Sequence, residues 1–381
     1  MGAERVLLVG CELTRGGDGW PLDASLAELG QLARTAGLAI AGRERQRLPR
    51  PNPTTYIGSG KAAQIAELAS SLGVDVVLFD DELAPNQQRN LEQILGEDVK
   101  VLDRSALILD VFASHARSHE GKIQVELAQL EYRLPRLTRM WTHLARQAGG
   151  RSAGNAGVGV RGPGETQLEV DRRRVRTRIS RLRKDLQAIS AARSGHRERR
   201  RRSRVPVAAL VGYANAGKST LMNALTGAGV RAENRLFATL DPTTRRIVVN
   251  DVPLLLTDTV GFVQKLPANL VAAFRATLEE VVEADLLIHV VDACHPMARE
   301  QAAEVVRVLR ELGAAERPTV TVLNKVDRVE DGMPLPDVME PGESARAIPL
   351  SALHRQGFDE LRAALAQAAL AQEALARMGR R

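Results

Sequence analysis

Short unbroken apolar runs bounded by turn residues recur along the chain and predict buried strands, while apolar positions returning every three or four residues predict the helices between them. Over residues 1–116 the two alternate. Strands are expected at 5–10, 38–47, 74–80 and 99–102, and helices at 22–36, 61–72, 85–95 and 103–116. Leu22, Leu26 and Leu29 share one helix face, Pro85 falls in a first turn, where proline is tolerated, and Asp103 stands at an N-cap. This alternation predicts a small α/β domain with a largely parallel sheet.

The next stretch has the strongest period. Ile123, Leu127, Leu130, Leu134, Leu137, Trp141 and Leu144 follow one another at spacings of 4 and 3, and Leu168, Val175, Ile179, Leu182, Leu186 and Ile189 keep the same seam. Between them, residues 149–164 carry glycine at 149, 150, 154, 157, 159, 162 and 164. Two such helices around a glycine-rich loop predict an antiparallel hairpin over 117–193 with the loop at its tip. Pro135 is expected to kink the first helix rather than end it, because the seam continues beyond it. Residues 194–204 read as a basic linker. From 205 to 381 strands and helices alternate again: strands at 205–211, 245–250, 252–257, 286–291, 319–323 and 347–350, helices at 218–225, 270–282, 297–312 and 358–371. His289, inside a strand, is read as a core histidine.

Charge sharpens the picture of the hairpin. The chain carries a formal +7, yet residues 151–204 alone hold 17 Lys and Arg against 5 Asp and Glu, so the remainder is net acidic. Arg172, Arg173, Arg174, Arg176, Arg178, Arg181, Arg183 and Lys184 lie largely off the apolar seam and should face outward, as should Arg133, Arg136, Arg139 and Arg146. A thin basic projection suits phosphate backbones, and its few aromatics argue against base stacking on single strands. A dimerising coiled coil with an arginine-rich exterior is the competing structural reading. Two distant cysteines, Cys11 and Cys294, indicate neither a disulfide framework nor a zinc site. Neither a leader nor an apolar stretch of membrane-spanning length is evident, which predicts a soluble cytoplasmic chain without a membrane span, with peripheral membrane association as the alternative.

Candidate chemistry is concentrated after residue 205. Gly212, Tyr213, Ala214, Asn215, Ala216, Gly217, Lys218, Ser219 and Thr220 fit the pattern G-x-x-x-x-G-K-[ST] between a strand and a helix. Backbone N–H groups of such a loop, with the positive end of the following helix, hold nucleotide phosphates. Lys218 would reach the β- and γ-phosphates and Ser219 would hold Mg2+. Asp258, Thr259, Val260 and Gly261 follow a second strand; the carboxylate suits a metal's water shell and the glycine the approach to a γ-phosphate. Asn324, Lys325, Val326 and Asp327 follow a third. One carboxylate, Asp327, can accept from both guanine N1 and its 2-amino group, donors that adenine does not pair in this way. Ser351, Ala352 and Leu353, after a fourth strand, offer N–H groups to guanine O6. Each segment lies at the carboxyl end of a predicted parallel strand, where open α/β sheets bind ligands. Gly58, Ser59, Gly60 and Lys61 lack the full spacing and are read as a plain loop before a helix.

Here the sequence resembles a P-loop GTPase over about residues 205–371. Phe237, Ala238, Thr239, Leu240, Asp241 and Pro242 are similar to the first switch of the Obg-HflX group. That likeness implies GTP contacts along 237–241 and puts Thr239 beside Ser219 as a Mg2+ ligand, with Thr243 and Thr244 as weaker rivals. Phe262 stands where Ras-like GTPases carry a water-orienting glutamine, so the catalytic group is left unassigned and slow basal hydrolysis is expected. Gln124 through Leu130, Tyr132, Leu134 through Leu137, Asp103, Arg104 and Ser105, residues 108–112, and Arg161 through Glu169 resemble the signature of the HflX GTPases. The resemblance implies an α/β fold: a P-loop GTPase domain preceded by a small α/β domain and an antiparallel helical hairpin. It further implies a monomeric, Mg2+-dependent GTP hydrolase that binds GTP and GDP, engages the 50S large ribosomal subunit through the basic hairpin and splits stalled or vacant 70S ribosomes. The alternative is a nucleotide-gated RNA-binding or scaffold protein in ribosome assembly whose hydrolysis is incidental. Some HflX proteins carry a further C-terminal domain, for which this chain is expected to have no room.

Overall fold

The computed structural model describes residues 3–15, 20–137, 163–202, 205–227, 236–237, 241–265, 275–330, 332–339 and 347–378. These fall into two compact units, one built from residues up to 113 with 122–189, the other from 114–121 with 190–266 and the chain from 274 onward. Among the described residues no helix is long and apolar enough to cross a membrane.

The first unit alternates β1 (Arg5–Leu13), α1 (Leu22–Thr35), β2 (Ala39–Leu48), α2 (Ser59–Leu72), β3 (Val76–Phe79), α3 (Pro85–Leu95), β4 (Lys100–Asp103) and α4 (Arg104–His115). The strands pair in the order β2-β1-β3-β4, all parallel. Leu7, Val9, Val77 and Phe79 pack against Ile65, Ala69 and Leu91 from the helices. At the carboxyl ends of these strands lies a buried ionic cluster. Arg104 donates to Asp80 at 2.8 Å and to Glu28, and the Ser25 hydroxyl donates to Asp80 at 2.6 Å. A guanidinium 1% exposed is tolerable only because opposite charges meet it on two sides. Asp103 caps α4 by accepting from the Ala106 N–H at 2.8 Å.

α5 (His119–Arg133) and α6 (Pro163–Arg202) carry the predicted seam: Ile123 and Leu127 pack with Ile179 and Leu182, flanked by Leu130, Leu134, Val175, Leu186 and Ile189. Arg178 pairs with Glu126 at 2.7 Å and Arg183 with Glu131 at 2.7 Å. The tip loop and the first helix beyond residue 137, with Arg139, Trp141, Leu144 and Arg146, lie outside the described residues.

The α-helical span ends at Arg133 and Leu134–Arg136 form a 3-10 turn, because Pro135 has no N–H for the carbonyl four residues back; the residues beyond 137, on which the expected kink depends, lie outside the described ones. One expectation is corrected here. Arg136 does not face outward: it donates to the Leu83 carbonyl at 2.6 Å and to Gln88 at 3.1 Å, and lies 3.7 Å over the Tyr132 ring. The stretch read as a basic linker, 194–204, continues α6 as far as Arg202. Alanine and arginine are strong helix formers, and Gly195 alone does not break the run.

The second unit contains β5 (Val207–Gly212), α7 (Lys218–Thr226), β6 (Thr243–Val249), β7 (Val252–Asp258), α8 (Arg275–Val282), β8 (Leu286–Asp292), α9 (Ala298–Glu311), β9 (Thr319–Asn324), β10 (Ile348–Pro349) and α10 (Phe358–Met378). Its sheet runs β10-β9-β8-β5-β7-β6, parallel except for β6 against β7. That pair is joined by Asn250 and Asp251, both with positive φ, which closes a tight hairpin and forces the reversal. Leu210, Leu256, Ile288 and Val290 form the core with Leu221, Met222, Leu361 and Leu365 from the helices.

Candidate functional site

The four sequence segments meet because β5, β7, β9 and β10 run in one direction and end on one edge of the sheet. The loop after β5 turns on glycines for steric reasons. Gly212 has φ +152°, and a Cβ there would stand 2.2 Å from the Val290 carbonyl; Gly217 has φ +97°, with a Cβ 2.2 Å from the Asn324 amide nitrogen. Asn215, between them, takes φ +63°.

Lys218 opens α7 and is buried, with its ammonium donating to the carbonyls of Gly212 at 3.0 Å and Tyr213 at 2.9 Å. Burial pulls its pKa down from 10.5 to about 8; the carboxylate of Asp258 opposes this, and the charge of Lys325 adds to it. The Ser219 hydroxyl donates to Asp258 at 2.6 Å. Together they present hard oxygen donors of the kind Mg2+ takes. Among the described residues no group of three His, Cys, Asp or Glu could hold a metal by itself.

Residues 258–264 lie along the phosphate loop. Thr259 donates its hydroxyl to the Leu210 carbonyl at 2.5 Å, and Val260 is buried. Gly261 is close enough that a Cβ would be 2.8 Å from the Ala214 Cα and 2.9 Å from the Lys218 ammonium. Phe262 pairs with Tyr213 as a short parallel bridge: Ala214 N–H donates to its carbonyl at 2.6 Å, and its own N–H donates to Gly212 at 3.2 Å. Its ring is 1% exposed. The Tyr213 hydroxyl accepts from the Gln264 N–H at 2.6 Å, a second tie that the spacing did not reveal.

On the other flank, Asn324 joins three segments, its side-chain amide donating to the Ala216 carbonyl at 2.8 Å while its oxygen accepts from the Ala352 N–H at 3.0 Å. Lys325, at φ +66°, donates to the Asn215 carbonyl at 2.8 Å and pairs with Asp292 at 2.7 Å. Val326 and Asp327 form a 3-10 turn, and the Asp327 carboxylate lies 3.8 Å from His354. Ser351 is buried and bridged to Gln356, and Leu353 is exposed. Asp292 was not anticipated, although its place at the carboxyl end of β8, between two motif-bearing strands, is the signal that could have marked it.

Phe237 is buried at φ +60°, whereas Ala238, Thr239 and Leu240 lie outside the described residues. The Asp241 side chain meets Arg117 and Ser118. His289 lies in the core of β8 as expected. Burial and then the Lys218 charge bring its pKa down to about 4, and its Nε2 has no hydrogen-bond partner among the described residues.

Sheet order, glycine-shaped loop and base-side asparagine together define a P-loop GTPase domain. Family comparisons agree: residues 207–325 match the family described as 50S ribosome-binding GTPase, residues 23–113 the GTP-binding GTPase N-terminal family and residues 115–200 the GTP-binding GTPase middle region. The chain is 47% identical over 340 residues to the GTPase HflX of Caldanaerobacter subterraneus subsp. tengcongensis, covering 89% of this chain and 76% of that one. It is also 47% identical over 347 residues to the GTPase HflX of Escherichia coli, covering 90% and 78%. A crystal structure of SsGBP with GDP superposes with a TM-score of 0.51 at 26% identity, over 97% of this chain and 99% of that one. The chain belongs to the HflX family of GTPases and is a GTP hydrolase.

Proposed function

We propose that this GTPase binds the 50S ribosomal subunit through its arginine-rich hairpin and dissociates stalled or vacant 70S ribosomes in the cytoplasm, as a monomer, with hydrolysis gating its release. Its working parts are residues 1–116, 117–193 with the tip loop, and 205–381. The observation that carries the reading is the exposed basic face of α6, where Arg173, Arg174, Arg176, Arg181 and Lys184 stand in solvent on the same chain as a complete set of GTPase segments. The description of the matched family, 50S ribosome-binding GTPase, supports the same partner.

At the nucleotide, residues 212–219 cradle the phosphates through backbone N–H groups, with Lys218 turning from its two loop carbonyls to the β- and γ-phosphates. Ser219 and Thr239 hold Mg2+, which when bound offsets phosphate charge. Asp258, Thr259, Val260 and Gly261 sense the γ-phosphate, and residues 237–241 contribute GTP contacts. Asn324, Lys325, Val326 and Asp327 select guanine, helped by Ser351, Ala352 and Leu353. Phe262 cannot orient water. Its burial makes it an anchor for the γ-phosphate-sensing segment, and hydrolysis by the free chain is slow until a partner orders the site.

The test is GTP turnover with and without large subunits, together with sedimentation in a non-hydrolysable GTP analogue. Co-sedimentation with the analogue and stimulated turnover are expected. A flat response would favour a scaffold. Asp327→Asn should shift preference from guanine toward xanthine by about a hundredfold or more, since it exchanges an acceptor for a donor against the base.

A further inference from the structure

The Asp241 carboxylate has a defined set of donors in the second unit. Its Oδ2 accepts from the N–H of Arg117 at 3.0 Å and of Ser118 at 2.8 Å, and its Oδ1 from the Ser118 hydroxyl. That hydroxyl in turn accepts from the Gly121 N–H at 2.9 Å. Ser118 precedes the first residue of α5, so it is the helix's own N-cap, and Gly121 is the third residue of the first turn. A helix start leaves N–H groups without internal partners and favours negative charge. Asp241 supplies that charge from a position 123 residues beyond Ser118, whereas a capping side chain ordinarily comes from the helix's own first residues. The space is shaped for it, because a Cβ on Gly121 would stand 2.6 Å from Asp241 Oδ1.

We propose that Asp241 is a tertiary cap of α5, and that the nucleotide state of the 237–241 loop thereby sets whether the first turn of the hairpin helix is held. This rests on the reading of that loop as nucleotide-responsive. Residues 114–121 group with the nucleotide-site unit and residues 122–189 with the other, so α5 passes from one to the other just after the capped turn. Asp241 acts through this helix as a positioning residue.

Hydrogen–deuterium exchange on the full chain with GDP or a non-hydrolysable GTP analogue tests the cap. Protection of the 117, 118 and 121 amides should differ about fivefold or more between the two states, the effect of one hydrogen bond made or lost. Gly121→Ala, which crowds the carboxylate, should abolish the difference at all three amides, and the milder Ser118→Ala, which removes the hydroxyl but leaves the backbone donors of 117 and 118, should abolish it at 121 alone. Both residues lie outside the phosphate and base segments, so GDP affinity should stay within about twofold, the scatter of surface substitutions. Equal protection in the two states of the unaltered chain would overturn the cap, as would a difference that survives at all three amides in Gly121→Ala. The measurement needs no ribosome. A chain that shows the difference but ignores large subunits therefore fails only the ribosomal reading, and a chain that binds subunits without the difference fails only the cap.

Discussion

Two buried side chains set the pH behaviour of the site. Lys218 has a pKa of about 8, so between that value and 10.5 it is largely neutral in the nucleotide-free chain. Phosphates placed beside it favour the charged form. Nucleotide binding in that window takes up a proton, and affinity falls as pH rises through about 8, by up to about tenfold per unit. Calorimetry at about pH 9 in two buffers of different ionisation enthalpy measures the uptake; identical heats would refute it. His289 works on the acid side. Its pKa is about 4 in the folded chain against 6.5 ordinarily, so below 6.5 the unfolded chain gains a proton that the native core refuses. Stability from this group is intact above 6.5 and is lost as pH falls toward 4, by roughly 3 kcal/mol. Replacing it with leucine (H289L) should flatten denaturation midpoints between those two pH values.

At the scale of elements, the joint between the hairpin and the first sheet is the testable feature. The Tyr132 hydroxyl donates at 2.9 Å to Asp103, which also accepts from Leu83 and Ala106, while Arg136 covers the ring. Tyr132→Phe takes one donor from a buried carboxylate and should cost about 1–3 kcal/mol, read from urea denaturation of the intact chain. This joint also shows where sequence reading stopped. Period and turn chemistry located the strands and helices of both sheets, since apolar runs and glycine spacing are local signals. The four nucleotide segments were legible for the same reason: each is contiguous, and parallel strands deliver their ends to one edge. Arg136 was misread because heptad position describes one helix alone, and its partners Leu83 and Gln88 come from distant residues. Asp241 was assigned by its neighbours in sequence, while its carboxylate is engaged by residues 117 and 118.

At the scale of the whole molecule, charge is where sequence and structure diverge most usefully. Not every arginine of the hairpin is available to a polyanion: Arg136 is engaged at the joint, and Arg178 and Arg183 are paired with Glu126 and Glu131. Hydrogen bonding to Arg178 holds the Glu126 carboxyl below its usual range, so the pair persists at neutral pH. Both pairs are substantially exposed, so solvent screens them and they contribute little to stability. Glu126→Gln with Glu131→Gln therefore leaves the fold standing while freeing two guanidiniums. If the hairpin binds folded RNA through phosphates, each freed arginine that reaches one adds about 0.7–0.9 to the slope of log affinity against log salt. The double variant should thus bind large subunits more tightly at low salt and lose that advantage faster as salt rises, whereas neutralising Arg173, Arg174, Arg176, Arg181 and Lys184 should do the reverse. Sedimentation across a potassium series measures both slopes. Parallel lines for the two variants would mean that α6 does not meet phosphates and that its basic face serves another end.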